Sequence, residues 1–211
     1  MFIPDKYLVI FDLETTQTLT GIPEIIEIGA VKVDRELESV DVFETFVKPR
    51  DMSGVDRHIE RLTGISPHDL ADAPSFDDIW EDFAKFTGYN QSRLCSWGTA
   101  FDVAILREEY KRRNLGYPHL HAPIDASSVV WTVGALWGIR FSGMSLQGAC
   151  DRFGVDRHDT HRALGDAKDV LCVFKEIRNL TLKGLEDGTS EKLLPNESGG
   201  QSSLPRSESC G

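Results

Sequence analysis

The segment Tyr7-Leu8-Val9-Ile10-Phe11 constrains the fold more than any other part of the 211-residue chain. Five consecutive apolar, β-prone residues leave no polar face to turn toward water, so the strand they form must be covered on both sides, as at the centre of an α/β sheet. The run leads directly into Asp12-Leu13-Glu14. A period of two puts Asp12 and Glu14 on the same side of that strand. Two carboxylates aimed together repel. They persist where a divalent cation or a proton sits between them, or where acidic residues cap a strand-end turn.

The later segments fix the order of elements. Ile25 to Val33 and Val40 to Val47, separated by the polar Asp34 to Ser39, complete an antiparallel β-meander with the first strand. A loop containing Pro49, Gly54 and Pro67 follows. Phe76, Ile79, Trp80 and Phe83 then have the i, i+3, i+4, i+7 spacing of an amphipathic helix, started by Pro74 and Ser75. Arg93 to Trp97 reads as a short buried strand, and Asp102 to Asn114 as a helix closed by Gly116. Ala122 to Ala126 forms another short strand; Ser128 to Trp137 and Ser145 to Phe153 form helices, and Ala163 to Leu180 a long final helix. The order predicts an α/β fold with a mixed five-stranded sheet, a three-strand antiparallel meander extended by parallel crossovers, and helices on both faces. Ligand chemistry then belongs at the carboxyl ends of the first strand and the Arg93 to Trp97 strand, where the topology switches. From Gly188 to Gly211, Ser, Gly, Pro and Glu dominate. The expected division is therefore a folded domain over 1–187 and a disordered tail over 188–211.

Composition removes several function classes. The apolar run Val129 to Ile139 is interrupted by Thr132, Gly134 and Gly138, and it is shorter than the roughly 20 residues that a spanning helix needs, so no membrane insertion is expected. Pro4, Asp5 and Lys6 stand where a secretory signal would need a basic start and an apolar stretch. Cys95, Cys150, Cys172 and Cys210 include no close pair for a disulfide framework or a zinc knuckle. A reducing compartment fits these features, the cytoplasm first and the nucleus as the alternative. With 23 Lys and Arg against 34 Asp and Glu, the net charge of −11 argues against coating nucleic acid through bulk electrostatics, though not against a local basic groove. Arg107, Lys111, Arg112 and Arg113 form the densest basic run; tracking phosphates and lining a solvated helix surface both fit it.

Two further elements carry chemistry. Asp102 follows the Arg93 to Trp97 strand, and falls near Asp12 if that strand lies parallel to the first; a helix N-cap is the other reading. His161 precedes Asp166 by five positions at the start of the final helix, where each alone would serve as a cap or a surface residue.

Together these pieces resemble the DEDDh 3′-to-5′ exonucleases, which include ribonuclease T, the proofreading subunit of replicative polymerases and the exonucleases acting on small-RNA and histone-message ends. The matching residues are Phe11-Asp12-Leu13-Glu14-Thr15-Thr16, the Asp102 segment, and His161 with Asp166 at the family's H-x-x-x-x-D spacing. Ile26-Glu27-Ile28-Gly29-Ala30 and Leu62-Thr63-Gly64-Ile65 support the match. Ser96-Trp97-Gly98 departs from the His-Asn type of start in proofreading members and looks more like the RNA-end-processing branch.

The resemblance implies a ribonuclease H-like sheet and a metal-dependent 3′-to-5′ exonuclease that releases nucleoside 5′-monophosphates from single-stranded 3′ ends, RNA slightly favoured over DNA. Asp12, Glu14, Asp102 and Asp166 would hold two ions, Mg²⁺ or Mn²⁺, about 3.5–4 Å apart, and His161 would take a proton from water. Leu13, Phe101 and Trp97 are candidates for holding the terminal nucleotide, with core packing as the alternative for each. The expected partner is single-stranded nucleic acid with a free 3′ end, with no membrane and no identified protein partner. A catalytically silent nucleic-acid or protein binding module on the same fold is the alternative function; it should have lost one of the five site residues. An internucleolytic ribonuclease fits the His161 to Asp166 spacing less well.

Overall fold

Strands β1 (Tyr7–Thr15), β2 (Ile25–Val33), β3 (Ser39–Phe46), β4 (Ser92–Ser96) and β5 (Ile124–Asp125) form one mixed sheet in the order β3-β2-β1-β4-β5. The computed structural model describes residues 6–16, 23–88, 91–116, 122–141, 143, 145–158 and 161–186; Cys210 and the expected tail lie outside them. β1 pairs antiparallel with β2 and parallel with β4, β2 pairs antiparallel with β3, and β4 pairs parallel with β5. This is the expected meander with parallel crossovers.

Alternation along β1 divides the core. Val9, Phe11 and Leu13 join Phe76 and Phe83 of α3 (Phe76–Thr87) with Val103, Leu106 and Tyr110 of α4 (Thr99–Arg112). Ile10 faces the other way, into a cluster with Val130 of α5 (Ala126–Leu136), Cys150 of α6 (Leu146–Phe153) and Val173 of α7 (Ala163–Glu186). Asp12 and Glu14 continue the row begun by Ile10. They stand where that row leaves the apolar core.

The loop expected between the meander and α3 contains two short helices, α1 (Arg57–Thr63) and α2 (Pro67–Ala71). Neither is long enough to display a helical period, but both are capped: Asp56 accepts from the amides of His58 and Ile59, and Ser66 and Asp69 form a reciprocal capping box before Pro67. Their apolar residues Ile59 and Leu70 close over Ile26. α4 begins at Thr99, one turn before the expected start, β5 is only two residues long, and α7 runs past Leu180 to Glu186. No helix among the described residues is long and apolar enough to cross a membrane.

Candidate active site

The site begins with how α7 reaches the sheet. Gly29 lies opposite Asp12 in the β1–β2 ladder. A Cβ at Gly29 would stand 2.0 Å from the Leu164 amide nitrogen and 2.3 Å from the Ala163 carbonyl carbon. The first turn of α7 therefore rests directly on the backbone of β2, an approach that only glycine permits. Next to it, the fully buried Glu27 carboxylate accepts from the Ala163 amide at 2.9 Å and from Arg162 at 2.6 and 3.0 Å. A negative side chain thus satisfies the free amide end of the helix while a guanidinium neutralises it. Seated this way, α7 brings one carboxylate oxygen each of Asp12, Glu14 and Asp166 within 4.8 Å of one another.

Confinement of so much negative charge shifts its titration. Asp12 is pushed well above the usual carboxylate range, first by burial and then by the charges of Asp102, Glu14, Asp166 and Glu27. Glu14 is pushed up to about 8, again by burial first and then by Asp166, Glu27 and Asp102. Asp166 is also raised by burial, with Arg157 and His161 pulling it back down. The chain alone therefore holds protons here near neutrality. A hard divalent cation is the alternative neutraliser, and an all-oxygen donor set with neither thiolate nor imidazole in it fits Mg²⁺ or Mn²⁺.

Asp102 approaches from the opposite element. It lies in the first turn of α4, 3% exposed, outside the trio that meets within 4.8 Å but close enough to be the strongest charge acting on Asp12. Burial raises it to about 7, against the Ser96 hydroxyl, which draws it down. The turn that delivers it depends on Gly98, whose φ of +88° lies in the left-handed region. Asp125 fixes that turn by accepting from both the amide and the hydroxyl of Thr99, while its other oxygen caps α5 through Ser128. Asparagine is the next residue after glycine to tolerate this conformation. An Asn at position 98 would meet the same backbone requirement less easily than glycine does.

The remaining candidates divide. His161 is exposed, two residues before the first residue of α7, with a φ of 59°, an uncommon conformation for a residue other than glycine. Phe101 is 53% exposed beside Asp102. Leu13 is 5% exposed and packed in the α3/α4 core, so only its backbone lies between the two carboxylates. Trp97 is half-buried against the α5–α7 cluster. The basic run on α4 is engaged internally: Lys111 pairs with Glu108, Arg112 with the buried Glu109, and Arg113 with Glu109 and Asp77. Cys95, Cys150 and Cys172 are buried and in no disulfide, and burial pushes the thiols of Cys95 and Cys150 up to about 12.

Glu27 was visible in the sequence only as part of a matching motif; its partner Arg162, 135 positions away, was not. Nor was Arg157, whose guanidinium donates to Asp166 at 2.5 Å. Spacing carries no signal for pairs so distant or so irregular.

Comparison with known proteins places this geometry. The family model described as Exonuclease matches residues 9–174. The PolC-type DNA polymerase III of Staphylococcus aureus is 28% identical over 197 residues, covering 92% of this chain but only 13% of that much longer protein. The nuclease domain of 3′hExo, a DEDDh family member bound to rAMP, superposes with a TM-score of 0.68 at 21% identity, over 88% of this chain and 94% of that one. Escherichia coli exonuclease I in complex with a dT13 oligonucleotide gives 0.70 at 15% identity, over 87% and 43%. With its sheet, its converging carboxylates and a family match over most of its length, the chain belongs to the exonuclease family.

Proposed function

We propose that the protein is a metal-dependent 3′-to-5′ exonuclease that acts on single-stranded nucleic acid, RNA in preference to DNA, and releases nucleoside 5′-monophosphates. The observation that carries this reading is the meeting of Asp12, Glu14 and Asp166 within 4.8 Å, with buried Asp102 beside them. In this reading those four residues hold Mg²⁺ or Mn²⁺. The cations would supply positive charge to the scissile phosphodiester and ease the ionisation of water.

The chain's own groups do the rest. His161, exposed at the rim, takes the proton of the attacking water, a task that suits an imidazole near neutral pH. Water oxygen bonds to phosphorus, the bond to the 3′ oxygen of the penultimate nucleotide breaks, and that oxygen leaves as a hydroxyl after protonation from solvent. Phe101, the exposed aromatic nearest Asp102, offers a face on which the terminal base stacks. Arg162, held by Glu27, keeps positive charge next to Glu14. The folded domain is assigned to 1–187.

The preference for RNA is supported by the rAMP-bound relative, whose nuclease domain is spanned almost whole, against the dT13-bound relative, of which less than half is spanned. The test is digestion of matched 3′- and 5′-labelled RNA and DNA strands in chelator and after add-back of Mg²⁺, Mn²⁺ or Ca²⁺. Mononucleotide release from the 3′ end with Mg²⁺ or Mn²⁺, faster on RNA, is expected. Binding without release in every metal would favour the silent module, and full activity in chelator would overturn the mechanism.

A further inference from the structure

Behind Asp166 stands a second charged assembly. Asp169, one turn further along α7, is fully buried. Its Oδ1 accepts from the His158 amide at 2.9 Å and lies 2.6 Å from His158 Nδ1; its Oδ2 is ion-paired with Arg157 Nε. The same guanidinium then presents its NH2 to Asp166 Oδ1 at 2.5 Å. Arg157 is itself only 13% exposed. A planar guanidinium can grip two carboxylates at once in a fixed geometry, which a lysine ammonium cannot. Because Asp169 holds Arg157 independently, the group that touches Asp166 is mounted rather than free to follow it. Asp166 is thereby denied part of its rotational freedom, and one of its two oxygens is already engaged.

We propose that Arg157, anchored on Asp169, is a positioning residue for Asp166: it sets which carboxylate oxygen faces Asp12 and Glu14 and holds it there for the divalent cation. This rests on the metal-dependent reading above. Groups that orient a metal-binding side chain from behind typically change metal affinity or activity by about 10- to 100-fold when altered. The same anchor ties His158, three positions before His161, to α7.

Removing Arg157 outright would leave the buried Asp169 without its guanidinium, with only His158 on Oδ1 and nothing on Oδ2, which is destabilising. The test therefore uses Arg157→Lys, which keeps the charge but loses the bridge, and the double variant Arg157→Gln/Asp169→Asn, which removes both charges together. Mn²⁺ is titrated calorimetrically into each protein without nucleic acid, alongside a thermal melt in EDTA and measurement of kcat and KM for 3′-end release at saturating Mn²⁺. Expected are Mn²⁺ binding weakened, or kcat lowered, by about 10- to 100-fold in both variants, with the fold retained and KM little changed. Unchanged Mn²⁺ binding and kcat in a folded variant would overturn the proposal. So would an effect confined to KM, which would put Arg157 on the substrate. Loss of the fold in both variants would assign the assembly to stability and likewise overturn it. If the wild-type protein binds no Mn²⁺, the metal-dependent function fails first, separately from this inference.

Discussion

Replacing Gly29 with alanine tests the foundation of the site. The added Cβ would lie 2.0, 2.3 and 2.5 Å from three backbone atoms of Ala163 and Leu164, whereas ordinary contact begins at 3.4 Å. No rotamer change relieves a clash between a strand and a helix backbone, so α7 would have to withdraw by roughly 1.4 Å, the shortfall at the closest atom. Overpacking of this kind costs about 1–3 kcal/mol. If the withdrawal breaks the 2.9 Å bond from the Ala163 amide to Glu27, loss of that charge-assisted bond adds about 1.5–3 kcal/mol. For a domain of this size each kcal/mol moves the melting midpoint by about 2–4 °C, so a fall on the order of 10 °C is expected. Asp166 travels with the helix, and displacement of a reacting group by about 1 Å can lower the rate about 10²-fold. Thermal circular dichroism and 3′-end release at 25 °C measure the two effects. Gly116→Ala is the control, because a Cβ there meets nothing within 4 Å. A Gly29→Ala protein that melts with the wild type and cuts within twofold of it would refute the seat of α7 on β2 as the device that delivers Asp166.

Three further outcomes are expected. Asp12→Asn removes a buried carboxylate that its neighbours repel, so the variant should melt in EDTA at or above the wild-type temperature while 3′-end release drops to background; retained activity would take Asp12 out of the reaction. Because folding raises Glu14 from 4.5 to about 8 and Asp102 from 3.8 to about 7, the folded chain binds more protons than the unfolded one across that interval. Metal-free stability should therefore fall as pH rises from 5 toward 8, and excess Mn²⁺ should flatten the slope; melts in EDTA with a higher midpoint at pH 8 than at pH 6 would contradict this. His161→Asn should lower turnover by roughly 10²- to 10⁴-fold with Mn²⁺ binding unchanged, and weakened Mn²⁺ binding in a calorimetric titration would make His161 a ligand instead of a base.

The sheet was legible because β1 has no polar face and the meander is punctuated by polar turns; both signals are local. Asp12 and Glu14 were legible for the same reason, by strand parity, whereas Asp166 stood out only through the resemblance, at its spacing from His161. α1 and α2 escaped because seven and five residues do not repeat a helical period, although Asp56 and the Ser66–Asp69 box mark their beginnings. The basic run on α4 gave a double reading because its partners Glu108 and Glu109 are interleaved with it and Asp77 lies on another helix. Arg162 and Arg157 are beyond periodicity altogether: each is a lone cation whose meaning depends on which buried carboxylate the fold brings to it.

The bond between Glu27 and Arg162 also has a consequence in time. During synthesis the first three strands emerge early, carrying a carboxylate destined for complete burial, while its guanidinium and the helix amide that satisfies it come 135 and 136 positions later. Closing so long a loop is slow compared with local pairing. The same late helix brings Asp166. A nascent chain that has paired its sheet but not yet docked α7 therefore has only part of its acidic cluster and no counter-charge for Glu27, so the cluster and the partner of its buried neighbour are completed in one step, when α7 docks.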